Sequence, residues 1–76
     1  PNPASTRFTI AFNRPLPARG ELILYDALGR GCARFPLIPG ARQASFDISS
    51  RPAGLYFYEV RSEAGRLGAG KLLIVD

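Results

Sequence analysis

Eight glycines and seven prolines are scattered at intervals through 76 residues, and no long stretch is free of both. Each Pro removes a backbone donor and each Gly weakens a helix, so a chain punctuated this densely has no room for a helix of a dozen residues. Between the breakers lie short runs rich in Phe, Tyr, Ile, Leu and Val, which is the pattern of an all-β sandwich or barrel. At 8.2 kDa the chain supports one hydrophobic core, so residues 1–76 are read as a single domain.

The runs can be assigned in order. Arg7 to Asn13 alternates, with Phe8, Ile10 and Phe12 on the core side, until Pro15-Leu16-Pro17 breaks the strand. Glu21 to Asp26 is apolar on both faces and reads as a central strand. Asp26-Ala27-Leu28-Gly29-Arg30 is a turn: the carboxylate bonds amides ahead of it and Gly29 takes the left-handed conformation. Gly31 to Leu37 is its partner, interrupted or edged at Pro36, and Pro39-Gly40 turns the chain again.

Arg42 to Ile48 carries Ala44, Phe46 and Ile48 on one side, and residues 49–54 form a corner between sheets. In Leu55 to Ser62, Tyr56, Tyr58 and Val60 share one face, and Leu55 and Phe57 the other. Glu63-Ala64-Gly65 is a hairpin turn, and Arg66 to Asp76 is the last strand. The expectation is an antiparallel, immunoglobulin-like Greek-key β-sandwich of six strands, or seven if the third splits at Pro36. In Pro52-Ala53-Gly54-Leu55-Tyr56 the glycine and tyrosine resemble the tyrosine corner of such sandwiches. Tyr58 stands where an antibody domain has its second cysteine, so no disulfide is expected.

Composition narrows the chemistry. The chain has no His, Met or Trp and one Cys, which excludes a disulfide framework, a Cys/His zinc site and any His-based catalytic pair. No catalytic residue, metal site or cofactor is expected. Calcium needs clustered oxygen ligands that six dispersed acids do not provide. Asp26 and Asp47, or Glu59 and Glu63, are the only carboxylate pairs to consider, and nothing in their spacing frames a substrate. Asp26 is most simply a turn cap, and Glu59 an exposed strand charge facing a cross-strand base. A Ser–Lys dyad would have to use Lys71, the sole lysine. Cys32 reads as a small buried hydrophobe, or else as an exposed thiol that dimerises the domain. Gly65, Gly68 and Gly70 lie in a hairpin and do not make a phosphate loop.

The formal charge is +4, but the arginines are dispersed with no run of two, so no nucleic-acid partner is expected. No apolar run approaches the length that spans a bilayer. The chain opens on Pro1-Asn2-Pro3 without an initiator Met and without a charged region followed by an apolar one. It is therefore expected to be a mature fragment or a piece of a longer protein.

Taken in order, these motifs resemble the C-terminal sorting domain of cargo proteins of the type IX (Por) secretion system of Bacteroidetes. Pro1-Asn2-Pro3 is similar to the family's opening, and Ile10, Phe12 and Leu16-Pro17 to its first strand and break. Leu22 to Asp26, with Gly29 and Arg30, is similar to its strand and D-x-x-G-R turn. Pro52, Gly54 and Tyr56 fit its P-x-G-x-Y element, and Gly70-Lys71-Leu72-Leu73-Ile74-Val75 its closing strand. Departures are an extra Pro15, Arg51 in place of the usual Leu, and Cys32 near a position more often Val.

The resemblance implies a domain attached behind a cargo domain, recognised by the outer-membrane translocon after periplasmic transit. A surface sortase then usually removes it, leaving the cargo at the cell surface or outside the cell. The domain is a substrate of that process and not an enzyme. Gly70 to Val75 are the candidate recognition residues, with Lys71 as the candidate surface charge. Pro1, Asn2, Pro3, Asp26, Gly29, Arg30, Pro52, Gly54 and Tyr56 are motif residues of a structural kind. A homodimer of the isolated domain is a further expectation. The rival readings are a carbohydrate- or surface-binding module of a secreted enzyme, with Tyr25, Phe35, Phe57 or Tyr58 exposed, and a purely structural spacer.

Overall fold

A computed structural model describes residues 7–49, 51–63 and 65–75. They form six strands: β1 Arg7–Ala11, β2 Gly20–Tyr25, β3 Gly31–Leu37, β4 Gln43–Asp47, β5 Gly54–Ser62 and β6 Gly65–Ile74. Among the described residues there is no helix. The first strand ends at Ala11, before the expected Asn13, although Phe12 still packs on the core. The third strand does not split. Pro36 sits inside β3, which is tolerated because β3 is an edge strand and the missing N–H need not face a partner.

All pairings are antiparallel. β1 pairs with β4 in one sheet, and the other runs β3-β2-β5-β6. The chain crosses between sheets three times, after β1, β3 and β4, and makes hairpins only at β2–β3 and β5–β6. In immunoglobulin terms β1 and β4 stand as strands B and E, and β2, β5 and β6 as C, F and G, with β3 as C′. β2 is the central strand that its two apolar faces predicted: Leu22 and Leu24 point into the sandwich, while Ile23 is 4% exposed on the outer face.

The core has two layers. Leu16, Leu22, Leu37, Phe46 and Val60 make one; Leu24, Ile48, Tyr56 and Ile74 make the other. Phe8 and Tyr58 touch both, with ring centroids 5.3 Å apart in an edge-on arrangement. Cys32 is half-buried against the second layer, not fully buried, and is a free thiol.

The turn and corner motifs resolve into local hydrogen bonding. Asp26 Oδ1 accepts from the N–H groups of Leu28 and Arg30 at 2.9 and 3.0 Å, and its Oδ2 from Arg30 Nε at 3.0 Å. Gly29, at φ +84°, allows the N–H of Asp26 to reach the Arg30 carbonyl at 2.9 Å. The Arg30 amide first, then that of Leu28 and the Arg30 guanidinium, hold the Asp26 carboxyl below its ordinary range. Asp47 does the same at the end of β4, where Ser49 N–H donates to its Oδ1 at 2.9 Å and lowers its pKa. Each of these two aspartates is thus committed to its own turn, and they do not form the carboxylate pair considered from sequence. At the corner, the Tyr56 hydroxyl donates to the Pro52 carbonyl at 2.7 Å. Pro1, Asn2 and Pro3 lie outside the described residues.

Candidate functional site

The closing strand sorts its residues by the period of two that any strand imposes. Gly70, Leu72 and Ile74 are opposite Tyr58, Tyr56 and Gly54 and face inward; Leu72 is half-buried and Ile74 is buried. Lys71 and Leu73 are opposite Phe57 and Leu55 on the outer face, and Val75 follows just past the strand. Lys71 is exposed, Leu73 is 66% exposed and Val75 55%. The six candidate recognition residues therefore divide into three that serve the core and three that meet solvent.

Gly70 has a steric reason to be glycine. A Cβ there would lie 2.5 Å from the Tyr58 hydroxyl and 2.6 Å from its ring. The tyrosine that joins the two core layers thus lies across β6 at the place where β6 has no side chain. Gly70 reads as a residue of the fold and Lys71 as one of the surface, although they are neighbours in the motif.

Lys71, Leu73 and Val75 are not alone on this face. Leu55 and Phe57, both partly exposed, pair with Leu73 and Lys71 across β5, and Tyr25 pairs with Phe57 across β2. An apolar patch therefore extends across β5 and β6, with one cation in it. Leu55 and Phe57 were assigned to the same face from sequence, but not to the site. Only strand pairing brings them beside Lys71, and that register is not written in a single strand.

The other half of the outer face is charged and internally satisfied. Tyr25 donates to Glu59 Oε1 at 2.9 Å, and Arg61 and Arg66 lie 3.8 and 3.7 Å from the same carboxylate. The bond to Glu59 raises the Tyr25 pKa. Glu59 is half-buried, not the exposed charge expected; its direct cross-strand neighbours are Ile23 and Ala69, and its basic partners are Arg61 two places along and Arg66 on β6. Arg34 closes on Glu21 at 2.6 Å, and the long side chains of this group surround Ile23. Lys71 has no ion-pair partner among the described residues.

The four aromatics considered for sugar binding do not form an exposed row. Phe35 packs on Phe46 at 4.8 Å and Tyr58 on Phe8, while Tyr25 is half-buried; only Phe57 meets solvent appreciably. Among the described residues, no group of three or more Cys, Asp or Glu is placed to hold a metal ion. Among the described residues no helix is long and apolar enough to cross a membrane.

Comparison with known proteins gives one finding. The family model described as the secretion system C-terminal sorting domain matches residues 1–75. The match takes in both strands of the outer patch and every motif from which the resemblance was drawn. Neither the curated proteins nor the solved structures yield a match.

Proposed function

Since this chain belongs to the secretion system C-terminal sorting domains, of the type IX kind, we propose that the outer-membrane translocon reads it through the outer face of β6. Membership makes the chain a sorting signal and implies a secreted or cell-surface protein. In the proposed reading, an N-terminally attached cargo crosses the outer membrane because Lys71, Leu73 and Val75, backed by Leu55 and Phe57, are recognised at its tail. A surface sortase then removes the domain. The chain is the substrate of both steps.

The observation that carries the reading is the split within β6. Three residues of the closing motif, Gly70, Leu72 and Ile74, have clear duties in the core. Lys71, Leu73 and Val75 have none, yet they form an exposed apolar patch around a cation with no ion-pair partner among the described residues. Exposed apolar residues gathered together, and not singly, mark a surface built for a partner.

The test is a fusion of the 76 residues behind a periplasm-directed fluorescent reporter, compared in a type IX-competent strain and a translocon-null strain. Reporter at the surface or in the medium of the competent strain alone, with the domain cut away, is the expected result. Intact reporter held in the periplasm of both strains would overturn the proposal.

A further inference from the structure

The sandwich is not closed equally on its two open sides. Where β3 faces β4, Phe35 packs on Phe46, residues 38–42 run between the sheets with Gly40 and Ala41 bonded to the backbone of Leu16, and a smaller hollow of about 400 Å³ remains. Where β6 faces β1, a groove of about 580 Å³ remains between the sheets. Its sides are Phe12 to Pro17 and Leu67 to Ala69, and Ile10, Tyr58 and Val60 lie deeper. It is mainly apolar, and among the described residues its only charged lining residue is Arg14.

Along this groove runs the free edge of β6. Among the described residues, β6 pairs only with β5 and β1 only with β4, so both rims carry backbone groups with no strand partner. Leu67 is the extra residue of a bulge, since Val60 is opposite Gly68 and Arg61 opposite Arg66. Beyond it Gly68 to Ile74 is regular, with no proline; a side chain at Gly68 would meet open space, whereas the place beside Gly70 is taken by the Tyr58 ring. A strand laid against this edge would send alternate side chains to opposite faces. Those turned inward level with Gly68 enter the apolar groove. Those turned outward stand beside Ala69 and Lys71.

From this placement we infer that the β6 edge and its groove seat an extended peptide strand of a protein partner that alternates apolar with acidic residues. The apolar positions fill the groove lined by Ile10, Phe12 and Leu67. The acidic positions meet Lys71 on the outer face, where no acid among the described residues pairs with it, and Arg14 at the groove rim. The inference rests on the reading of β6 as the recognised strand and names the chemistry of what it would pair with.

The experiment is a titration of the isotope-labelled full chain with a short blocked peptide alternating valine and glutamate, followed by amide chemical shifts. Saturable shifts confined to residues 10–17 and 67–74 are expected. A lysine-for-glutamate version of the peptide should bind at least about tenfold more weakly, and Lys71→Glu should cost the acidic peptide a similar factor. Leu67→Asp, at a position 45% exposed, should weaken it comparably while leaving the unfolding midpoint unchanged. Arg34→Ala, on the opposite edge, should leave binding unaltered. Absence of saturable shifts overturns the inference. So do equal binding of the lysine peptide, shifts that depend on domain concentration without peptide, which would assign the edge to a second copy, and preferential displacement by laurate, which would assign the groove to an amphiphile.

Export separates this inference from the reading beneath it. If Leu67→Asp loses the peptide but is exported normally, the groove is not the translocon's seat and the sorting reading stands. If the unaltered domain binds the peptide but is never exported, the sorting reading fails by itself.

Discussion

β3 and β6 are the two outer strands of one sheet, and they meet solvent differently. β3 carries Pro36, which cannot donate to an incoming strand, and Arg34, tied to Glu21 across β2. On its side of the sandwich Phe35 packs on Phe46 and the hollow left is smaller, about 400 Å³. β6 is the longest strand at ten residues, has no proline, leaves an open groove beside it, and shows Leu67, Leu73 and Lys71 to solvent. Long unprotected edges invite pairing, and natural proteins blunt them unless the pairing is wanted. One sheet thus contains a guarded edge and an open one, and the open one is built from the closing motif of a sorting signal.

The comparison is broken most forcefully within β6 itself. Ile74→Ala removes a buried side chain and should cost about 2–5 kcal/mol, read from the denaturant midpoint. Leu73→Asp, one residue away on the outer face, should stay within roughly 0.5 kcal/mol of the parent. If the two cost the same, the inward–outward division of the strand is wrong. Gly70→Val comes next: it forces the Tyr58 ring off β6 and should cost about 1–3 kcal/mol by overpacking. A pair with Tyr58→Ala would then recover part of that loss, which a merely conformational glycine would not permit. Tyr56→Phe, which leaves the Pro52 carbonyl without its donor, should cost about 1 kcal/mol.

A gentler intervention acts on the guarded edge. Pro36→Val restores an N–H to β3 and, at nearly unchanged stability, should raise concentration-dependent self-association in light scattering. An unchanged scattering profile would remove Pro36 from the argument.

Titration provides the smallest effects. The carboxyl pKa values of Asp26 and Asp47 are depressed in the fold, so their contribution is fully present above roughly pH 4 and is lost as pH falls through the lowered values. Tyr25 is shifted upward, so its contribution is present below roughly pH 10 and is lost as pH rises through the raised value. Asp26→Asn should flatten the acid limb of a stability–pH curve and leave the alkaline limb alone.

Most of the architecture was legible because breakers and alternation are local. The apolar faces of Glu21 to Asp26 placed β2 at the centre, and Asp26 and Gly29 announced their turn. What depended on pairing was less legible. Glu59 was read as an exposed charge because its strand alone gives no hint that Arg66 and the Tyr25 hydroxyl converge on it. The motif Gly70 to Val75 was read as one recognition unit; strand alternation and the Tyr58 ring divide it. The groove beside Leu67 is set by the spacing of two sheets, which no stretch of sequence encodes.

The most direct measurement is export of the reporter fusion bearing Lys71→Glu, Leu73→Asp and Val75→Asp together, alongside its unfolding midpoint. The account predicts a domain that folds as stably as the parent and is no longer exported, its reporter held in the periplasm. Export at the parental level from a folded triple variant would contradict the claim that the outer face of β6 is what the translocon reads.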